Sequence, residues 1–454
     1  MTKSQVNTWG PAISSPAELT VIIVGLGIAG LTAAIECHRK GYTVIGLEKK
    51  PDANQLGDII GLSGNSMRIL AEWNNGSLAH LIDDDITCDV TALELFDAEG
   101  HQRLAMPYNA NDPNQGYLFR RTGLLTKLCH YASQLGIDLR FGVNVDGYWE
   151  TDSSAGVYAN NEKITGDCVV AADGFHSKAR AIITGETPAP EDIGVVAYRS
   201  IFDADAIADV PEAQWILKKA QTADIWHTYY AKDTMVAIGT AARGRYVHWG
   251  CAGALEDRSE SWMQPAAPYP VLKCLESWPV GGQLAAAIAR TPPGKCFQQA
   301  LRAIPPLKRW VSTGGRMIVI GDAAHSFLPY AGQGGNQAIE DAAVLGICLE
   351  LAGTPNVPLA LRVVEKLRHG RVSLIQKGSV EAGDCFLDAA WESDDTAERP
   401  TAFTHQAWVY AHNCVEHAYK QFHAAAEAVI NGREYTPTNV PTDGKFRQQD
   451  GKCM

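Results

Sequence analysis

Gly25, Gly27 and Gly30 stand in the run Val21-Ile22-Ile23-Val24-Gly25-Leu26-Gly27-Ile28-Ala29-Gly30, and Glu48 closes the later run Val44-Ile45-Gly46-Leu47. These residue types at this spacing can hold an adenine dinucleotide. Gly25 permits a tight turn, Gly27 lets backbone approach a pyrophosphate, and Gly30 lets a helix pack closely on its strand. The phosphates then meet the unpaired N–H groups and positive dipole end of the helix. Glu48 accepts hydrogen bonds from a ribose hydroxyl pair. The motif alone leaves FAD and NAD both open.

Two distant groups narrow that choice. Asp173-Gly174 follows a buried strand and precedes Ser177, Lys178 and Arg180, and Gly321-Asp322 ends a second apolar strand. A plain NAD dehydrogenase needs neither, whereas a flavin held in one extended pose does. Asp322 can bind the ribityl hydroxyls. Pro329 and the stretch Gly332, Gly334, Gly335, Asn336 then open a helix whose N–H groups and dipole favour negative charge at the flavin N1–C2=O edge.

Elements must carry these residues to one place. Short apolar runs at Val21–Val24, Val169–Ala172 and Met317–Ile320 read as buried parallel strands, and Gly116 to Leu135 as a helix. Val195–Phe202, Ile225–Tyr230, Met235–Ala241 and Tyr246–Cys251 are rich in aromatic and β-branched residues and read as strands of another sheet. The expected fold is α/β: a discontinuous Rossmann-like dinucleotide domain (18–85, 110–190, 296–360) with an inserted, mostly antiparallel β-sheet substrate domain (86–109, 191–295). A helical C-terminal region (361–430) follows, broken near Asp394-Asp395 and Pro400, with loosely ordered tails at 1–17 and 431–454.

Bulk properties exclude several classes. A chain of 454 residues with net charge −12 does not suit a nucleic-acid partner. Eleven cysteines without a CxxC pair fit reduced thiols, and no histidine spacing indicates a metal. Leu19–Ile35 is apolar, but its glycines fit a strand plus helix better than a membrane span. The expectation is a cytoplasmic enzyme with no obligatory membrane partner.

Taken in order, the three motifs resemble those of the flavoprotein aromatic hydroxylases, the single-component FAD monooxygenases of the salicylate-hydroxylase-like type. Gly57–Leu70 is similar to the family segment beside the isoalloxazine. Phe119–Leu125 is similar to the segment whose arginine contacts FAD, which points to Arg121. The resemblance implies bound FAD, transient NADPH or NADH, and a small electron-rich aromatic substrate. It also implies a C4a-hydroperoxide that passes one oxygen atom from O2. One departure narrows it further: Asp58 stands where salicylate-type enzymes usually carry a small residue. That pattern is similar to fungal indole-alkaloid monooxygenases that epoxidise the indole C2=C3 bond, in which an acid here and a strand arginine flank the substrate. Arg199 matches that arginine.

Arg199 and Asp58 are therefore the expected catalytic pair. A guanidinium stays charged and can hydrogen-bond an oxyanion, although a lone strand arginine also serves as an ordinary salt-bridge partner. Tyr198, Trp226, His227, Tyr229 and Trp249 are expected to line the pocket with Pro329, and His325 to support its own loop. A phenolic-ring hydroxylase, another FAD oxidoreductase such as a halogenase, and a non-enzymatic carrier remain as alternatives.

Overall fold

The computed structural model describes residues 19–53, 57–108, 116–255, 264–387 and 406–446. The expected breaks at Asp394-Asp395 and Pro400, and the tail at 1–17, lie outside them. Thr20–Val24 is the central strand of a five-stranded parallel sheet. Thr43–Glu48 and Asp138–Phe141 lie on one side of it, Cys168–Ala171 and Met317–Val319 on the other. Its strands, the edge strand Asp138–Phe141 apart, are mostly apolar runs, as expected where helices cover both faces. The apolar stretch from Leu19 is thus a strand followed by the helix Ile28–Arg39. Among the described residues no helix is long and apolar enough to cross a membrane, and Cys37, Cys88, Cys129, Cys168, Cys251, Cys274, Cys296, Cys348 and Cys414 are free thiols.

The second sheet has eight strands. Its centre is formed by Glu191–Asp203, Tyr246–Gly253, Thr234–Ala241 and Asp224–Ala231. Every pairing in it is antiparallel except that of Asp224–Ala231 with Val90–Asp97. Asp233 and Arg243, both at positive φ, make the turns between these strands. Cys296–Ala303 pairs with Glu191–Asp203, so the inserted sheet extends past the expected boundary at 295. Gly116–Leu135 is also not one helix. Tyr117–Arg120 is a strand of a small sheet with Ile59–Leu62 and Thr87–Cys88, and the helix begins at Arg121.

The C-terminal helices are not a separate body. Leu361, Val364, Leu367, Ala418 and Phe422 share one core with the parallel sheet. The chain after Asn431 is held through Phe446, which corrects the expectation of a loose tail there. Helix Val357–Leu387 carries Gly370 and Gly378, and a Cβ at these positions would collide with Pro437 and the Phe446 ring. The two glycines are notches that seat the returning segment. Trp408 Nε1 donates to Phe446 O at 3.0 Å and Asn439 Nδ2 donates to Leu367 O at 3.2 Å.

Candidate active site

The glycine turn has the conformation its sequence requires. Gly25 lies at φ +93°, and a Cβ there would sit 2.4 Å from Ala172 O; at Gly30 it would meet Gly25 O at 1.8 Å. A Cβ on Gly27 would have nothing within 4 Å. Two of the glycines therefore serve the chain's own packing and the third faces open space, where a pyrophosphate would lie. Glu48 is buried with Oε2 accepting Leu26 N–H at 2.8 Å, which fixes the acid to the turn.

The later motifs converge on the same strand ends. Asp173 Oδ2 accepts Lys178 N–H at 3.1 Å, while its buried Oδ1 has no hydrogen-bond partner among the described residues. Arg180 joins the motifs, donating to Asp322 O at 3.1 Å and Ala323 O at 2.8 Å. Asp322 projects from the end of strand Met317–Val319 with its residue exposed, and Gly332 (φ +59°) has open space above it. Helix Gly334–Ala352 then starts with its first-turn N–H groups at the far end. An orphaned carboxylate oxygen, two bare glycines and an exposed aspartate fit a bound FAD. Arg121 packs on Gly57, and its N–H donates to Asp58 O at 2.8 Å.

The side chain of Asn336, which the reading of its backbone N–H left aside, is engaged with the protein itself. Its Oδ1 accepts from Ser63 N and Ser66 Oγ, and its Nδ2 donates to Gly61 O and Gly332 O. It fastens the Gly57–Gly64 segment to the flavin loop, so it shapes the bay from behind.

Strand alternation sorts the proposed pocket residues. Successive side chains point to opposite faces, so Arg199 and Tyr198 cannot share one. Tyr198, Tyr229 and Trp249 belong to the core behind the sheet, with Ile216, Leu284 and Ile288 of the covering helices. His227 lies on that side too, 2.7 Å from Glu94 and packed between the tilted rings of Phe96 and Trp215. None of these four lines the cleft, which corrects that expectation. Trp226 is on the inner face, but it packs with Ile59, Leu118 and Tyr246 and donates to Thr228 Oγ1 at 3.1 Å. Pro329 is exposed in the flavin loop, whose Ala331 O accepts from Tyr410 Oη at 3.1 Å.

Arg199 and Asp58 come together from different domains. Both line a cleft of about 160 Å³ with Gly57, Arg120, Tyr246 and Phe297. Burial pushes the Arg199 guanidinium down to about 10; the negative charge of Asp58 opposes that shift and Arg121 adds to it. Arg199 therefore stays a cation at neutral pH. Its Nη2 donates to Gln299 Oε1 at 3.3 Å.

Behind the loop lies a charge network that sequence reasoning missed. Asp341 Oδ2 accepts from Gly321 N at 3.1 Å and bonds His325 Nε2, and its Oδ1 accepts from Arg368 Nε at 2.8 Å. Glu340 takes Arg368 and Arg371, and also Asn65 Nδ2 at 2.6 Å. Burial alone would raise the Glu340 carboxyl, but Arg371 and Arg368 outweigh it and hold it well below its usual range. Adjacent acids in the otherwise apolar run Ala338–Ile347 were the available signal. At the end of strand Val90–Asp97, Asp97, Glu99 and His101 come within metal-ligating reach of one another. Asp97 there already holds Arg103 at 2.6 Å.

Two outcomes can be measured on these groups. Asp322→Ala is expected to weaken FAD retention about 10- to 100-fold, the worth of a charge-assisted hydrogen bond or two. Fluorescence titration of the apoprotein checks this, and unchanged affinity would remove Asp322 from the site. Burial also pushes His248 and His412 down to about 3, so both are neutral when folded. The unfolded chain protonates them below their ordinary value of 6.5. Their contribution to stability is thus full above that pH and is lost as pH falls from there toward 3, at about 1.4 kcal/mol per pH unit for each. The urea midpoint should drop between pH 7.5 and pH 5.5; a constant midpoint would contradict the assignment.

A dinucleotide cradle, the exposed Asp322, a helix N-terminus and an arginine-bearing sheet opposite them suit an FAD-dependent monooxygenase, the class to which similar proteins assign this chain. The chain belongs to the FAD-binding domain family, which matches residues 18–267 and 307–356. It is 88% identical to a notoamide E oxidase (notB') of Aspergillus versicolor over 453 residues, 99% of this chain and 100% of that one. It is 45% identical to the FAD-dependent monooxygenase notI of Aspergillus sp. (strain MF297-2), covering 95% of this chain and 98% of the relative. The solved structure of CtdE with FAD and a substrate matches with TM-score 0.87 at 40% identity, covering 91% of this chain and all of that one. A salicylate hydroxylase substrate complex, at 21% identity and TM-score 0.72 over 88% of this chain and 97% of its own, shares the fold.

Proposed function

We propose that this monooxygenase inserts one oxygen atom into the C2=C3 bond of an indole, using NADPH or NADH as electron donor in natural-product biosynthesis. The balance is indole plus O2, NAD(P)H and a proton, giving the 2,3-epoxide, NAD(P)+ and water. FAD supplies the electron relay and the activation of O2. The chain supplies position, charge and exclusion of water.

The observation that carries this reading is the Asp58–Arg199 pair facing one cleft from two domains. Asp58 offers an acceptor for an indole N–H, which increases electron density at C3. Arg199 offers a permanent donor to the oxygen that gains negative charge. The 88% identity to a protein named for oxidising notoamide E supports the same substrate class. The free thiols support a reducing, cytoplasmic setting.

The test is NAD(P)H oxidation and product mass on a panel of indoles, tryptophan-derived diketopiperazines and simple phenols. Indole-stimulated oxidation with a product heavier by one oxygen atom is expected. Turnover of phenols alone would replace this reading with a phenolic-ring hydroxylase.

A further inference from the structure

Arg199 Nη2 donates to the side-chain oxygen of Gln299, Oε1, at 3.3 Å. Gln299 lies on the neighbouring strand Cys296–Ala303, but the two residues are not direct partners in the ladder. Arg199 stands opposite Phe297, and Gln299 opposite Ala197. The hydrogen bond therefore runs diagonally, within the reach of long side chains on adjacent strands. Ala197, the residue between them on that face, is small enough to leave the path open. Arg199 is the one hydrogen-bond partner of the Gln299 side chain among the described residues. A guanidinium has donors only, so the amide must turn its oxygen to it. That oxygen accepts without bringing a negative charge of its own.

The surroundings of Gln299 are apolar. Strand alternation puts Phe297, Gln299 and Leu301 on one face. Phe297 lines the cleft, whereas Leu301 packs with Val195, Ala197 and Ala252 against Leu328 and Tyr330 of the flavin loop. A half-buried amide is costly in such a place unless it is hydrogen-bonded, and its bond goes to Arg199. The placement also sets a direction. Gln299 sits two residues nearer than Phe297 to the stretch where the sheet meets the flavin loop. A bond from that side draws Nη2 toward the loop, while Asp58 faces the same cleft as the guanidinium.

We infer that Gln299 is a positioning residue for oxygen transfer: it holds the Arg199 guanidinium turned toward the flavin loop, so that its donors meet the oxygen that gains negative charge. Without the amide oxygen, Arg199 keeps its charge but loses its aim. This inference rests on the role given to Arg199 above.

The test uses FAD-loaded Gln299→Met, which keeps the length of the side chain but removes the acceptor. The probe is the aromatic that the wild type oxygenates best. Substrate affinity is read from the perturbation of flavin absorbance, and product is measured against NAD(P)H consumed. Product per NAD(P)H should fall roughly 10-fold while substrate affinity stays within about twofold. Flavin content should match the wild type. A residue that only packs, or only shapes the pocket, would move affinity as much as product yield or move neither, and either result overturns the inference. Adding Gln299→Met to Arg199→Gln should cost less than about a further twofold, because the group it positions is already gone. A full further loss would mean that Gln299 acts by another route and would also overturn it. Gln299→Ser, polar but too short to reach Arg199, should give the same fall in yield and decides the matter if the methionine variant loses its flavin. Arg199→Gln alone judges the role on which the inference rests. Full product there removes Arg199 and the inference with it, whereas a loss there with none in Gln299→Met overturns the role of Gln299 only. Because wild-type turnover selects the probe, the comparison holds for an indole and for a phenol alike.

Discussion

Arg199→Gln is expected to leave a yellow, folded protein that consumes NAD(P)H but forms product at about 1/100 to 1/1000 of the wild-type rate, the usual loss when one preorganised donor to a developing oxyanion is removed. The separation arises from geometry. Arg199 sits on the substrate sheet, whereas the cradle at Gly25–Gly30, Glu48 and Asp322 lies on the parallel-sheet side. Glutamine keeps a donor of similar reach but removes the charge that faces Asp58 in the cleft. Flavin content, NAD(P)H consumption and product mass are the three readouts. Full product formation in Arg199→Gln would remove this residue from the chemistry. Loss of flavin along with product would make it a cofactor residue instead.

The second large effect is on stability. Arg368→Met should cost about 3–5 kcal/mol, because it leaves buried carboxylates short of a counter-charge. Arg368, Arg371, Glu340 and Asp341 are each at most 1% exposed, so water cannot take the place of the missing cation. Asp341 also holds Gly321 N and His325, so a fall in flavin affinity should accompany the drop in unfolding free energy. Denaturant titration of the apoprotein, beside flavin titration, measures both. A change under about 1 kcal/mol would mean that the network is no stronger than a surface pair.

The cofactor half of this site was legible in the sequence because each part of it is local. A glycine at a turn, an acid at a strand end and a glycine run before a helix carry their reasons within a few residues. The substrate half was less legible. Tyr198 and Arg199 are neighbours, so strand alternation alone excludes both from one wall, but choosing between them requires knowing which face the helices cover. Trp226 faces inward and is still consumed by packing against Ile59 and Leu118, contacts between segments far apart in the chain. Asn336 illustrates the same limit: its amide reaches Gly61 and Ser63, and no local pattern announces that partnership. The segment after Asn431 looked loose from its prolines and polar residues. Its anchors, Pro437 and Phe446, are meaningful only beside the notches at Gly370 and Gly378.

Those notches bear on when the enzyme matures. Residues 406–446 supply Tyr410 to the Ala331 carbonyl, the Trp408 and Val409 carbonyls to Arg371, and Phe446 to the helix that carries Arg371. Translation runs from the N-terminus, so the turn at Gly25 leaves the ribosome long before the segment that steadies the opposite end of its bay. A nascent chain can present the adenine-binding half but not a braced flavin loop. Bracing of the loop around Ala331 is thus a later step of folding than the glycine turn.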